Sequence, residues 1–281
     1  MTDHYAVFGN PIAHSKSPQI HTLFAQQTGQ DLVYDKQLVA EGQFTEAART
    51  FFASGGCGLN ITVPFKLDAF AFADDLSERA HNAGAVNTLK KMPDGRIFGD
   101  NTDGAGLLRD ITHNLGWIIQ NKRVLVLGAG GAVRGIIQPL LSEQPQRVVI
   151  ANRTLSKAEA IVQLFNNGKS AQDSKILRAS SLQIHARPFD VIINGTAASL
   201  GGSMPDLDPA ILAPGACCYD MMYGEALTPF LQWAQQHGAQ VADGLGMLVE
   251  QAAESFFLWR GVRPQTAPVM SALRQAITRS V

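Results

Sequence analysis

The sequence predicts an α/β protein of two domains, the second a doubly wound domain of parallel strands. Three observations predict it. A run of β-branched residues and leucine, Arg123 to Leu127, breaks at Gly128-Ala-Gly-Gly-Ala132. A second apolar run, Val148 to Ala151, follows within one βαβ length. The chain ahead of Arg123 already alternates apolar runs with helical periodicity. Strands covered on both faces read as continuous apolar runs, and alternation of such runs with helices is the pattern of a parallel sheet. A chain of 281 residues is long for one ordinary domain and comfortable for two, each able to bury a core.

In the first domain, Tyr5 to Gly9 reads as a strand ending in glycine. Ser17 is expected as an N-cap with Pro18 at the first helical position, and the helix runs through Phe24. Asp31 to Val39 reads as a strand, Phe44 to Ser54 as a helix and Gly58 to Val63 as a strand halted by Pro64. Helices at Leu67 to Phe72 and Ser77 to Ala83 precede a strand from Ala85 to Lys90. The turn Pro93-Asp94-Gly95 then leads to a return strand, Arg96 to Gly99. Asp103 to Asn114 is expected as a connecting helix with Asp103 or Thr102 at its cap.

In the second domain a helix from Lys157 to Phe165 and a loop over Asn166 to Asp173 follow the second strand. Strands at Phe189 to Asn194 and Cys217 to Met221 and a helix at Thr228 to His237 complete it. Helices at Leu248 to Trp259 and Pro268 to Thr278 have no strand left to join and are expected to pack back on the first domain. The expected division is therefore 1–104 completed by 245–281, with 105–244 as the dinucleotide domain.

Hydrophobic content of 46%, charged content of 17% and a formal net charge of -1 leave no basic excess for nucleic acid. No apolar run reaches the roughly 18 residues of a membrane span, and Met1-Thr2-Asp3-His4-Tyr5 has no cationic segment before an apolar one. The expectation is a cytoplasmic protein acting on small molecules, with no membrane partner, as a monomer or a homodimer. The cysteines, Cys57, Cys217 and Cys218, are odd in number. The adjacent pair has neither zinc nor redox spacing, so they read as reduced core residues with no metal site.

The glycines after Leu127 let the chain turn tightly into a helix whose free N–H groups can hold a pyrophosphate. Gly128-Ala129-Gly130-Gly131 lacks the usual third glycine, so Ala132 or Val133 must serve the close helix packing. After the second strand, where a carboxylate would accept from the ribose 2′-OH of NAD, the chain offers Asn152, Arg153, Thr154 and Lys157. Cations and hydroxyls there suit a 2′-phosphate, and NADP is the expected cofactor.

Polar groups gather at the strand ends of the first domain, where open α/β sheets bind ligands. Ser15 and Ser17 follow the first strand, Asn60, Thr62 and Lys66 lie on and after the third, Asn87 falls inside an apolar run, and Asp103 follows Asp100-Asn101-Thr102. Singly, each has a plain structural reading: a cap, a satisfied amide, a solvated amine. Together they describe a site for a small polyhydroxylated acid.

Gly9-Asn-Pro-Ile-Ala-His-Ser-Lys-Ser-Pro18, Asn60-Ile-Thr-Val-Pro-Phe-Lys66, Ala83-Gly-Ala-Val-Asn-Thr88, Gly99-Asp-Asn-Thr-Asp-Gly104, Gly128 to Ala132, Asn152-Arg-Thr154 and Asp243-Gly-Leu-Gly-Met-Leu-Val-Glu-Gln251 occur in that order. In these blocks the chain resembles shikimate dehydrogenase of the NADP-dependent, bacterial biosynthetic type. The resemblance implies reversible, NADPH-dependent reduction of 3-dehydroshikimate to shikimate, in the pathway to the aromatic amino acids. It implies Lys66 and Asp103 as the catalytic pair, with Ser15, Ser17, Thr62, Asn87 and Gln251 on the substrate and Tyr223 closing the site. Asn60 supports that pair or touches substrate. On the cofactor side it implies Gly128, Ala129, Gly130, Gly131 and Ala132 at the pyrophosphate and Asn152, Arg153, Thr154 and Lys157 at the adenosine end. Met221, Gly244 and Met247 fall near the nicotinamide, with Glu78 a further candidate there.

The sequence departs from the family pattern at Asn194-Gly-Thr-Ala197, where Asn-Ala-Thr-Ser is more frequent, and at Val133, where serine is common. An NAD-dependent quinate/shikimate dehydrogenase is the nearest rival, but Thr154-Leu155-Ser156 lacks its aspartate. A methylenetetrahydrofolate dehydrogenase would lack the Ser15, Ser17 and Asp103 blocks. A catalytically silent metabolite-binding regulator would not need Lys66 and Asp103.

Overall fold

Side chains of β1 (Asp3–Gly9) alternate between two cores: Ala6 and Phe8 enter one with Phe44, Phe52 and Phe65, while Tyr5 and Val7 enter another with Tyr34 and Trp259. That period of two, buried on both faces, makes β1 a central strand. The computed structural model describes residues 2–166, 175–184, 187–196, 198 and 202–278. They fold as two units, Met1–Gly106 with Leu248–Leu273 and Leu107–Met247 with Arg274–Val281.

The first unit holds a six-stranded sheet of β1, β2 (Leu32–Leu38), β3 (Gly56–Ile61), β4 (Asp75–Leu76), β5 (Thr88–Lys91) and β6 (Ile97–Asp100), in the order β2-β1-β3-β5-β6-β4. β1 runs parallel to β2 and β3, while β5 is antiparallel to both β3 and β6. Helices α1 (Ser17–Thr28), α2 (Phe44–Ala53), α3 (Lys66–Phe72) and α4 (Glu78–Ala83) connect these strands. α5 (Asp103–Arg109) follows β6 and leads into one π-helical turn, Asp110–Asn114.

The second unit is a parallel six-stranded sheet of β7 (Arg123–Leu127), β8 (Arg147–Ala151), β9 (Leu177–Ser180), β10 (Phe189–Asn194), β11 (Leu212–Asp220) and β12 (Gln240–Asp243). Its order, β12-β11-β10-β7-β8-β9, reverses direction between β7 and β10. That is the doubly wound nucleotide-binding order, with its switch point beside β7. α6 (Gly131–Ser142), α7 (Leu155–Asn166) and α8 (Pro229–Gln236) accompany it; α9 (Leu245–Arg260) and α10 (Ala267–Thr278) close the chain. Among the described residues no helix is long and apolar enough to cross a membrane.

Several local expectations are corrected. β9 and β12 escaped the sequence pattern because Leu-Arg-Ala-Ser and Gln-Val-Ala-Asp are short, polar edge strands without an apolar run. The N-cap of α1 is Lys16, with no side-chain bond, and Ser17 is already helical. Asn87 precedes β5 instead of lying inside a strand. Of the two expected caps of α5, Thr102 precedes the helix and Asp103 is its first residue; the Asp103 N–H donates to Asn101 Oδ1 at 3.2 Å and its carboxylate bonds Lys66 and Asn87. The loop expected at Asn166 to Asp173 lies outside the described residues beyond Asn166, as does Ala197.

The two departures from the family pattern meet in space. A Cβ built on Gly195 would lie 2.5 Å from Cγ2 of Val133, which is fully buried at the start of α6. Valine at 133 fills the room that an alanine at 195 would need. Gly195→Ala is therefore expected to destabilise the protein by about 1–3 kcal/mol through overpacking. In the Gly195→Ala, Val133→Ala double variant the two costs should fall short of their sum, measured by chemical denaturation; strict additivity would show that the positions do not share this space.

His21, on α1, is fully buried, stacked on Tyr34 at 4.2 Å between ring centroids and flanked by Phe24 and Trp259. Burial drives its pKa down from 6.5 to about 3, opposed in part by the Asn60 amide. The unfolded chain thus takes up this proton near pH 6.5 and the folded chain does not until about pH 3. Stability conferred by the neutral ring is complete above the unfolded value and is lost on acidification between those limits, at up to about 1.4 kcal/mol per pH unit. Urea unfolding from pH 7 down to pH 5 is expected to show a steeper loss for wild type than for His21→Phe; parallel curves would refute the neutral, buried ring.

Candidate active site

The C-terminal ends of β1 and β3 are adjacent, with Phe8 opposite Ile61. Thr62 donates its N–H to the Phe8 carbonyl at 3.0 Å, and a Cβ on Gly9 would come within 2.3 Å of Thr62 Cγ2, so only glycine lets the two strand ends approach this closely. The chain then turns, Phe65 N–H to Thr62 carbonyl at 3.1 Å, and buries Phe65 stacked on Phe44. This anchor sets Lys66 as the first residue of α3. After β1, the loop with Ser15 and Ser17 is held by Lys36 Nζ donating to the Ala13 carbonyl and by Asn10 Nδ2 donating to the Val39 carbonyl at 3.2 Å. The Ser17 N–H donates to Ser15 Oγ at 3.3 Å.

Lys66 Nζ donates to Asp103 Oδ2, and the two side chains are 18% and 9% exposed, so the pair is shielded but reachable. Asn87 Nδ2 donates to the other carboxylate oxygen, Asp103 Oδ1, at 2.8 Å. Its own Oδ1 accepts from the Thr102 N–H at 2.8 Å. A backbone N–H can only donate, which fixes the direction of the Asn87 amide. Gln251, on α9, lies 3.4 Å from both Asn87 Nδ2 and Thr102 Oγ1 through its Oε1. α9 approaches this closely because Gly106 carries no side chain; a Cβ there would meet the Gln251 N at 2.6 Å.

The turn that presents Asp103 is fastened by its neighbour Asp100. Arg79 donates to both oxygens of Asp100, at 2.7 and 2.5 Å, with Ser77 and the Asn101 N–H adding to Oδ1. Burial would push this carboxyl up, but the Arg79 hydrogen bonds and charge, with Ser77 and Asn101, hold it below the usual carboxylate value. An ionised, fully bonded Asp100 is a rigid support for the segment that follows.

The first unit therefore joins Lys66, Asp103, Asn87 and Gln251 in one hydrogen-bonded set and holds Ser15, Ser17 and Thr62 at the strand ends. Asn60 is buried, and its amide is spent on Tyr34, Thr88 and Ser255. That places it among the supports of the pair. Glu78 is on the first turn of α4, where a carboxylate suits the helix dipole, and Tyr223 belongs to the second unit. Thr88, Ser255 and Tyr34 were not singled out from the sequence, and Thr102 only as a helix cap. Ser255 sits one helical turn after Gln251, the one signal that could have found it.

In the second unit Gly128 has φ +105° and donates its N–H to the Ala151 carbonyl at 2.8 Å. Only glycine adopts that backbone readily. Gly130 caps α6 without a side-chain bond, the first turn carries no acidic residue, and Cβ atoms on Gly130 or Gly131 would meet open space. Free N–H donors at the positive end of a helix beside open space fit a pyrophosphate. Asn152 Nδ2 donates to the Thr154 carbonyl at 2.8 Å, leaving Arg153, Thr154 and Lys157 exposed beyond β8. Met221 and Gly244 are in contact, since a Cβ on Gly244 would meet the Met221 carbonyl oxygen at 2.2 Å. Met247 joins the same core, its N–H donating to Tyr219 Oη at 3.2 Å.

Similarity to known proteins runs along nearly the whole chain. The shikimate dehydrogenase substrate binding domain matches residues 7–89, shikimate / quinate 5-dehydrogenase matches residues 111–201, and the shikimate 5'-dehydrogenase C-terminal domain matches residues 244–274. The NADP(+) shikimate dehydrogenase of Cellvibrio japonicus strain Ueda107 is 60% identical over 279 residues, 99% of each chain. The crystal structure of the Ael1 enzyme from Pseudomonas putida is 48% identical with a TM-score of 0.89, over 97% of this chain and 98% of that one. The Thermus thermophilus shikimate 5-dehydrogenase, solved with NADP(H) and shikimate, is 31% identical with a TM-score of 0.86, over 98% of this chain and 100% of that one. With its polar strand ends, its glycine-rich turn and this similarity along nearly its whole length, the chain belongs to the shikimate dehydrogenase family.

Proposed function

We propose that this chain catalyses the reversible reduction of the ring ketone of 3-dehydroshikimate to the alcohol of shikimate, with NADPH as reductant, in the cytoplasm. The observation that carries the reading is the Lys66–Asp103 pair, held by Asn87 at the strand ends of a unit rich in hydroxyl and amide groups.

NADPH, when bound, supplies the hydride that reduces the carbonyl carbon. Lys66, as an ammonium, hydrogen-bonds the carbonyl oxygen, stabilises the negative charge developing on it and delivers the proton that completes the alcohol. In the oxidative direction it takes that proton back. Asp103 accepts from Lys66 and fixes where the amine points. Ser15, Ser17, Thr62, Asn87, Gln251 and Tyr223 hold the substrate hydroxyls and carboxylate. The N–H groups at the start of α6, with Gly128 to Ala132, hold the pyrophosphate, and Met221, Gly244 and Met247 lie toward the nicotinamide. Asn152, Arg153, Thr154 and Lys157 recognise the adenosine end. No carboxylate stands there to accept from a ribose 2′-OH, which favours NADP over NAD.

The direct test follows nicotinamide absorbance with 3-dehydroshikimate and NADPH, and in reverse with shikimate or quinate against NADP or NAD. Shikimate with NADP is expected to react best; no turnover of authentic 3-dehydroshikimate would refute the function. Lys66→Ala should lower turnover by about 10²–10⁴-fold with little loss of ligand binding. Retained turnover would remove Lys66 from proton transfer. Arg153→Ala should weaken NADPH binding much more than NADH binding, read by titration of each cofactor, and equal losses would show that Arg153 reads something other than the 2′-phosphate.

A further inference from the structure

We propose that Thr88 and Ser255 are positioning residues that, through Asn87, fix the Lys66–Asp103 pair in its working arrangement. The proposal rests on reading that pair as the proton-handling group. Both residues are completely buried, and their hydroxyls bond to Asn60, Asn87, Thr102 and each other, one step removed from the pair.

Counting protons along the buried network gives it a direction. Tyr34 Oη lies 2.7 Å from Asn60 Oδ1, and burial pushes the Tyr34 phenol well above its ordinary range, so it stays protonated and donates. Asn60 therefore turns its Nδ2 inward, toward Thr88 Oγ1 at 3.1 Å and Ser255 Oγ at 3.0 Å. The two hydroxyls are 2.7 Å apart, and one must donate to the other. Thr88 has a single proton and faces Asn87 Oδ1 at 2.9 Å, an atom that can only accept. Thr88 therefore donates to Asn87, and Ser255 has its single proton shared between Thr88 and the Gln251 carbonyl, 3.1 Å away. Asn87 passes its Nδ2 to Asp103 Oδ1, opposite the oxygen that takes Lys66.

Every bond in this chain points the same way, from Tyr34 toward Asp103. Bonds aligned in this sense strengthen one another in a low-dielectric interior. Asn87 Oδ1 accepts from the Thr102 N–H at 2.8 Å, from Thr88 Oγ1 at 2.9 Å and, at 3.2 Å, from Thr102 Oγ1. Removing the Thr88 hydroxyl takes away the closer of the two hydroxyl donors to Asn87 Oδ1, breaks one bond of the Asn60 Nδ2 group and loosens the amide that holds Asp103. The sheet and α9 set these positions independently of substrate: Trp259 Nε1 donates to the Leu89 carbonyl at 3.0 Å and Lys90 Nζ to the Leu258 carbonyl at 2.7 Å, locking α9 over β5.

Thr88→Val and Thr88→Ser separate this role from packing. Valine keeps the shape and loses the hydroxyl, whereas serine keeps the hydroxyl and loses the methyl. Positioning predicts that Thr88→Val lowers kcat about tenfold, the effect of one hydrogen bond, while Thr88→Ser retains most of the wild-type kcat and neither moves KM for NADPH. A purely structural role predicts the opposite order, with serine the more damaging. Ser255→Ala, which removes only an oxygen, should follow Thr88→Val and serves as the test if Thr88→Val fails to fold. Wild-type turnover and the loss in Lys66→Ala are measured alongside. An active wild type that Lys66→Ala silences, with both hydroxyl-deletion variants at wild-type kcat, would overturn the positioning role and leave the proposed function standing.

Discussion

The Asn87 amide is the joint on which the hydrogen-bonded set of Lys66, Asp103 and Gln251 depends. It lies between the N–H of Thr102, which can only donate, and the carboxylate of Asp103, which can only accept. Those two demands come from adjacent residues of one turn, so the amide has a single orientation that satisfies both. A buried polar group left without its partner costs about 1–3 kcal/mol, and several such groups would be orphaned together if Asn87 turned over. Three segments distant in sequence, the end of β3, the residue before β5 and the start of α5, are thereby brought into register. The Arg79 clamp on Asp100 and the Phe65 anchor before Lys66 fix the same segments from the outside.

The two units solve different problems. The first ties its buried polar groups around Asn60 and Asn87 to one another and leaves the Lys66–Asp103 pair shielded but within reach of solvent. The second leaves donors open: the start of α6 has no side-chain cap, no acidic residue and open space over Gly130 and Gly131. The fold does not require glycine at those two positions, whereas Gly128 is required by its positive φ. The space over the helix end therefore matches a demand made by a ligand, and the demand at Gly128 is made by the chain itself.

Legibility in the sequence follows the range of the interaction. β1, β7 and β8 were readable because strands buried on both faces must be apolar throughout, and α2 because its apolar residues recur at helical spacing. β9 and β12 were not, because an edge strand draws its order from one neighbour and carries no such run. Lys66 and Asp103 were visible as polar residues after strands, Asn87 as an amide in an apolar run, and Gln251 through the family resemblance. Thr88, Ser255 and Tyr34 were invisible because a hydroxyl on a strand or helix has no local signature, and its partners are set by how α9 lies on the sheet. Val133 and Gly195 each read as an isolated departure, yet they share one volume.

The sequence by itself determined that the chain is an α/β protein with a dinucleotide turn, a 2′-phosphate-compatible cluster at Asn152 to Lys157 and a polar set at the strand ends of its first domain. These follow from periodicity, backbone freedom at glycine and residue chemistry, which act over a few residues. Tertiary packing settled that Asn60 faces inward to Tyr34, Thr88 and Ser255, that the Asp103 carboxylate meets Lys66 and Asn87, and that His21 is sealed among aromatic rings with its pKa lowered to about 3. The direction of an amide and the solvation of an imidazole are properties of the surrounding packed groups, and those groups come from elements far apart along the chain.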